Sequence, residues 1–239
     1  MPSMELPSPT AARSFEPAET RRVDRRFFDA PTAGVARALL GRLFGTRSPD
    51  GVRVVRLVET EAYVADDPAN HADRGPTPRN RSMFGPAGTL YVYRIHQVVC
   101  ANIVTRPGQA VLLRAGEPRT PGLSDPRGPG RLCRALGISR EDDGTDLVRS
   151  DRFFVGGLPE PVGPVSVGPR VGLRRAAERP LRFALTGNPW VSRPVPWAAR
   201  RVSAVSPSGS PGVGGRRRSR TRRRPASGGG RRGGRSAGK

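Results

Sequence analysis

The pattern of apolar and polar side chains divides the chain into short elements. Val35, Ala36, Leu39 and Leu40 recur at helical spacing behind Asp29 and Pro31 and stop at Gly41. That pattern predicts a short helix with Asp29 as N-cap and Pro31 in its first turn. A strand is expected around 42–47, a Ser-Pro-Asp-Gly turn at 48–51 and a second strand over 52–63, so this hairpin ends in an acidic, aromatic stretch. Residues 89–105 are β-branched and aromatic and predict two strands with a turn near His96–Gln97. A further strand is expected over 110–117, a short helix over 130–137, and alternation at 181–185 predicts another strand. The reading is mixed α/β, of α+β character, without internal repeats. The longest apolar run, 98–104, is broken by Asn102 and falls far short of the roughly 20 residues that a membrane span needs.

Composition separates the ends from the middle. The 239 residues carry 42 basic and 20 acidic side chains, a formal net charge of +22. Thirteen of the basic residues lie after residue 195, where no acidic residue occurs, so the remainder holds 29 basic against 20 acidic side chains. Residues 1–24 are expected to form a flexible leader, 25–194 a single folded domain, and 195–239 a disordered tail rich in Arg, Gly and Ser. Excess positive charge favours a polyanionic partner, nucleic acid above all. Arginine supplies nearly all of it, since Lys239 is the only lysine. Usage this extreme follows from GC-rich codons as readily as from a binding task.

Several chemistries are excluded. Cys100 and Cys133 form neither a CxxC pair nor a disulfide framework, and with only His71 and His96 no metal site is expected. A cytoplasmic location fits this cysteine usage and an N-terminus without an apolar signal region. There is no phosphate-binding GxxxxGK[ST] loop, no GxSxG elbow and no zinc-deaminase pattern. With no lysine before the tail, the domain lacks a side-chain amine for Schiff-base chemistry, and water is the expected nucleophile.

Four segments carry candidate chemistry. Glu59, Glu61 and Tyr63 share one face of a strand of period two. Clustered carboxylates beside an aromatic ring suit a general base; the alternative is a solvated strand face paired with the abundant arginines. His71-Ala72-Asp73-Arg74 and the stretch from Thr77 to Gly85 crowd Arg, Asn and Thr together, as a phosphate-contacting loop or as an ordinary capped turn. Tyr91 and Tyr93 point the same way from a strand. Arg114 ends an apolar strand, either paired with a buried carboxylate or facing a ligand.

Taken together these segments resemble the alkyladenine (3-methyladenine) DNA glycosylase family of the mammalian type. The matching stretches run in order: FFDAPTAGVARALLG (27–41), LVETEAY (57–63), TPRNRSMF (77–84), GTLYVY (88–93), ANIV (101–104), VLLRA (111–115), GPGRLCRALGI (128–138), RVGL (170–173) and PLRFALTGNPWVS (180–192). The resemblance implies a monomer with one compact domain around a curved, antiparallel-rich β-sheet, a protruding β-hairpin and flexible terminal segments. It implies a partner, double-stranded DNA containing damaged purines, no membrane, no cofactor, and downstream enzymes that process abasic sites. By position, Glu61 would deprotonate the attacking water, and Arg114 and the carbonyl of Val171 would help to hold it. Tyr63, His71 and Tyr93 would line the pocket around the flipped base, with Asn102 in its floor. His96 stands where the family inserts a tyrosine into DNA, and Gln97-Val98 replaces the family's Gly-Met. Two other functions remain open on sequence: a catalytically weak damaged-DNA binder, and a nucleic-acid binder acting through its basic tail.

Overall fold

The computed structural model describes residues 22–157 and 163–195. The expected leader and tail fall, apart from 22–24 and Val195, outside the described residues. Eight strands form one curled antiparallel sheet. They are β1 (Leu43–Ser48), β2 (Gly51–Tyr63), β3 (Leu90–Ile95), β4 (Val98–Arg106), β5 (Gln109–Pro118), β6 (Phe153–Gly156), β7 (Val165–Gly168) and β8 (Arg182–Leu185). The main path runs β3-β4-β5-β2-β1-β6, and β8 joins β7 to β2. The helices α1 (Arg25–Phe28), α2 (Thr32–Ala38) and α3 (Pro129–Leu136) are short. The expected mixed architecture is therefore the observed one.

β2 is the spine. Along one edge it pairs with β5. Along the other it pairs first with β1, up to Arg56, and then with β8, from Glu59 to Glu61. Between those partners Leu57 exchanges backbone bonds with Gly41 and Arg42. Residues 57–62 are all buried, so polar side chains there need partners inside the protein. Thr60 meets this need by donating to the Ala36 carbonyl on α2 at 2.9 Å.

The helix over 32–38 starts later than the sequence pattern predicts. Asp29 is not its N-cap: it follows α1 as that helix's C-cap, and Pro31 occupies the N-cap position of α2. A proline disfavours helical geometry in the residue before it, so Ala30 cannot open the helix, and Pro31 itself is extended (ψ 126°). The cap on α1 is Asp24, which accepts from the Phe27 amide at 3.1 Å. No strand is expected from the sequence at β6 or β7; β6, Phe-Phe-Val-Gly, lacks the alternation that marks the equally short β8.

β3 and β4 make a hairpin with the two-residue turn His96–Gln97. Residues 94–98 are all exposed, and His96 takes a positive φ of 51°. Behind it, α3 packs on β4 so closely that a Cβ on Gly130 would come within 2.7 Å of Val98 Cγ1.

Close approach also limits β5, where a Cβ on Gly116 would lie 2.6 Å from Val55 Cβ. Val55 is fully buried and stiff at that atom, so neither residue can yield cheaply. Gly116→Ala is expected to lower unfolding free energy by about 1–3 kcal/mol, checked by urea denaturation against the wild type.

Candidate active site

The two glutamates of β2 face the same arginine but have different surroundings. Glu59 Oε1 accepts from Arg114 Nε at 3.0 Å and from Arg182 Nε at 2.7 Å, and its Oε2 accepts from the Ser192 amide at 2.6 Å. Glu61 Oε1 receives the Val171 amide at 2.8 Å and lies 3.4 Å from Arg114 Nη1. Tyr63 donates its hydroxyl to Glu61 Oε2 at 3.2 Å. Both carboxylates have no solvent exposure. The solvated-face alternative therefore fails on burial, although its arginine pairing is present.

A break in strand pairing sets this geometry. Pairing of β2 with β5 shifts between Leu57 and Glu59 and again between Glu59 and Thr60, so Val58 and Arg114 are left without direct partners. Such irregularities re-aim side chains. Arg114, beside the Ala115 that pairs with Glu59, spans both carboxylates, with Nη2 3.4 Å from Ser192 Oγ. Two arginines thus neutralise two glutamates, but Glu59 takes the shorter contacts with both.

Burial holds the Glu61 carboxyl above its ordinary pKa, and the Glu59 charge adds to that rise; Arg114, the Val171 amide and the Tyr63 hydroxyl oppose it only in part. Such a carboxylate is a stronger base than an exposed one. Held between an arginine, an amide and a phenol, it can take a proton from an adjacent water. Tyr63 itself stays neutral, its phenol pushed up chiefly by burial and next by Glu61.

The other expected site residues come together beside Tyr63. Tyr63 and Tyr93 pack on one small cluster with Met83, Tyr91, Val104 and Ala110. His71 meets Tyr93 edge-on, with ring centres 4.4 Å apart, and Tyr91 lies 5.5 Å from Tyr93. The Tyr91 hydroxyl sits 3.1 Å from His71 Nδ1, leaving Nε2 as the free ring nitrogen. Partial burial lowers the His71 pKa and favours the neutral imidazole. Asn102, buried opposite Tyr91, donates its amide to the Tyr91 carbonyl at 3.1 Å. His96 does not join this group; it stays at the exposed hairpin tip.

The Thr77–Asn80 stretch is chiefly a turn. Asn80 donates to the carbonyls of His71 at 2.9 Å and Gly75 at 3.1 Å, and accepts from the Thr77 amide and hydroxyl. It thereby holds the His71 loop, while Arg79 and Arg81 remain exposed. A groove of about 490 Å³ lies away from Glu61, between the tip of the hairpin at Gln97–Val99 and α3, and Arg127, Arg131 and Arg134 line it. Among the described residues no cluster of His, Cys, Asp and Glu could hold a metal ion.

Sequence reasoning missed Arg182 and Ser192, which complete the Glu59 site, Tyr91 as the His71 partner, and a buried ion pair of Asp67 with Arg170. The Arg182 signal was available, since a charged residue interrupts an apolar strand at 181–185. Asp67 and Arg170 gave none, being 103 residues apart in irregular segments.

The methylpurine-DNA glycosylase family model matches residues 26–189. Among similar proteins, one from Anaeromyxobacter dehalogenans (strain 2CP-1) is 50% identical over 187 residues, covering 74% of this chain and 89% of its own. Relatives from Agrobacterium fabrum and Nitrosospira multiformis are 44% and 43% identical over 195 and 183 residues, covering 76% and 70% of this chain and 95% and 92% of theirs. All three are named for 3-methyladenine DNA glycosylase. Every stretch that builds the carboxylate cluster, apart from Ser192 and its neighbours, lies within the matched span, and the chain belongs to the methylpurine-DNA glycosylase family.

Proposed function

We propose that this DNA glycosylase hydrolyses the N-glycosidic bond of alkylated or deaminated purines in duplex DNA. The purine is flipped out of the helix, and Glu61 activates the attacking water. The observation that carries this reading is the Glu61 carboxylate: fully buried, held by Arg114, Val171 and Tyr63, and raised in pKa by its burial. In this mechanism Glu61 takes the proton from water, and Arg114 and the Val171 carbonyl orient that water. The oxygen bonds to the sugar carbon as the bond to the purine breaks, and the electron pair leaves with the base.

Tyr63, His71 and Tyr93 would enclose the flipped purine. Cationic lesions such as 3-methyladenine and 7-methylguanine are attracted to aromatic faces, and their charge makes them good leaving groups. Neutral lesions such as hypoxanthine and ethenoadenine must gain a proton to leave. Asn102 would crowd the 2-amino group of normal guanine. His96 would enter the minor groove in place of the larger tyrosine, with Arg127, Arg131 and Arg134 near the phosphates. The enzyme would act as a monomer and pass its product to enzymes that process abasic sites.

Replacing Glu61 by Gln should cut base release by at least about 10²-fold while DNA binding persists, as measured by single-turnover assay and gel shift. The wild-type product should carry alkali-labile abasic sites with no strand break before alkali, because no lysine is available in the domain.

The pH profile follows from the direction of the Glu61 shift. Glu61 must be ionised to act, so the rate should fall with acid through a pKa above the ordinary 4.5. Because its folded pKa is raised, Glu61 binds its proton more tightly folded than unfolded, and stability is lost as pH rises through that window. Glu61→Gln should therefore raise Tm at neutral pH, with the gain vanishing below the ordinary pKa. A Tm unchanged at neutral pH would contradict this account of the burial cost. Finally, His96→Tyr should increase DNA affinity and base release, read by the same assays.

A further inference from the structure

Arg170 holds an unusual position. Of the segment between β7 and β8, residues 169–181, it is the one buried residue. Its guanidinium bonds both oxygens of Asp67, with Nη2 3.0 Å from Oδ1 and Nη1 on Oδ2, and neither side chain has any solvent exposure. The same Nη1 donates to the Ala62 carbonyl at 3.1 Å, and the guanidinium carbon lies 4.6 Å from the centre of the Tyr63 ring. One cation therefore grips the two residues that follow Glu61 in β2. The next residue in its own segment, Val171, gives its amide to Glu61 Oε1 at 2.8 Å.

We propose that the buried Asp67–Arg170 pair is the positioning device for Glu61, fixing the Val171 amide on one carboxylate oxygen and the Tyr63 hydroxyl on the other. Burying two charges is costly, and an apolar pair of similar volume would stabilise the fold as well. An apolar pair, however, could not hold the Ala62 carbonyl, face the Tyr63 ring and anchor residue 170 together. A planar, always-charged guanidinium does all three. Asp67 is supported in turn by its own loop, where its Oδ1 accepts from the Ala69 amide at 3.1 Å. Asp67 and Arg170 act through Tyr63 and Val171 and touch no reacting atom.

The other groups around Glu61 are independent of this pair. Arg114 comes from β5 and Glu59 lies two residues earlier on β2; Arg182 from β8 is turned onto Glu59. Loosening residue 170 should thus remove one amide donor and weaken one phenol donor without moving the nearest charge. Both donors lower the Glu61 pKa, so their loss has a definite sign: upward.

The inference rests on Glu61 as the base, and its test separates the two ideas. Asp67→Asn/Arg170→Met removes the pair without leaving a lone buried charge; Arg170→Lys keeps the charge but loses the two-pronged grip. In protein carrying 13C-labelled glutamate carboxyls, the Glu61 signal is identified by its absence in Glu61→Gln and titrated by NMR. The double variant should raise the Glu61 pKa by about one unit or more, and Arg170→Lys by less. Single-turnover release from an inosine or methylpurine duplex should fall about tenfold with its acid limb displaced the same way, while DNA affinity holds. A staple that only supports the fold would lower Tm without moving the titration, and that result overturns the proposal. If the double variant does not fold, an unmoved Glu61 titration in Arg170→Lys overturns it equally. A Glu61 pKa that moves in an enzyme whose wild type releases no base would uphold the positioning role and reject Glu61 as the glycosylase base.

Discussion

The middle of β2 is buried, and four charged side chains converge on it. Glu59, Glu61, Arg114 and Arg182 are all nearly or fully buried, so each must find its partner within the protein. This requirement explains features of the fold that hydrophobic packing leaves unexplained. The shift in β2–β5 pairing lets Arg114 span both carboxylates. The handover of β2's second edge from β1 to β8 brings Arg182 beside Glu59. The segment after β8 returns to give Glu59 the Ser192 amide, and the segment after β7 gives Glu61 the Val171 amide.

The same arithmetic of charge separates the two glutamates. Glu59 has both arginines and an amide as partners. Glu61 keeps only the longer reach of Arg114, so burial dominates and its carboxyl is held above the usual range. Two identical side chains, two residues apart, are thereby given different chemistry by their environment. An ionised carboxylate in such a place costs stability.

Around this centre the loops do precise mechanical work with ordinary means. Asn80 ties the His71 loop through two carbonyls, and Asn70 ties its start to Val64 and Gly108. Gly130 allows α3 to lie against the hairpin at Val98. The TPRN and GPG stretches, which resemble family motifs, thus have local physical reasons: one builds a turn, the other permits a close contact.

The sequence by itself determined the elements whose signals are local. Apolar periodicity and turn chemistry marked the β1–β2 and β3–β4 hairpins, β5 and the α3 segment, because each of these is long enough to show its period or is bounded by glycine or proline. It also put Glu59, Glu61 and Tyr63 on one strand face, and left residues 25–194 without a lysine. The short strand β8 was legible through its alternation, whereas β6 and β7 carried no signal of their own, and a proline rule displaced the expected Asp29 cap. Only the tertiary structure decided which glutamate is neutralised and which is left basic. That outcome depends on Arg114, Arg182, Val171 and Ser192 converging from four separate segments, and on the depth of burial they create together. Both are properties of long-range contact, which no local pattern of residues encodes.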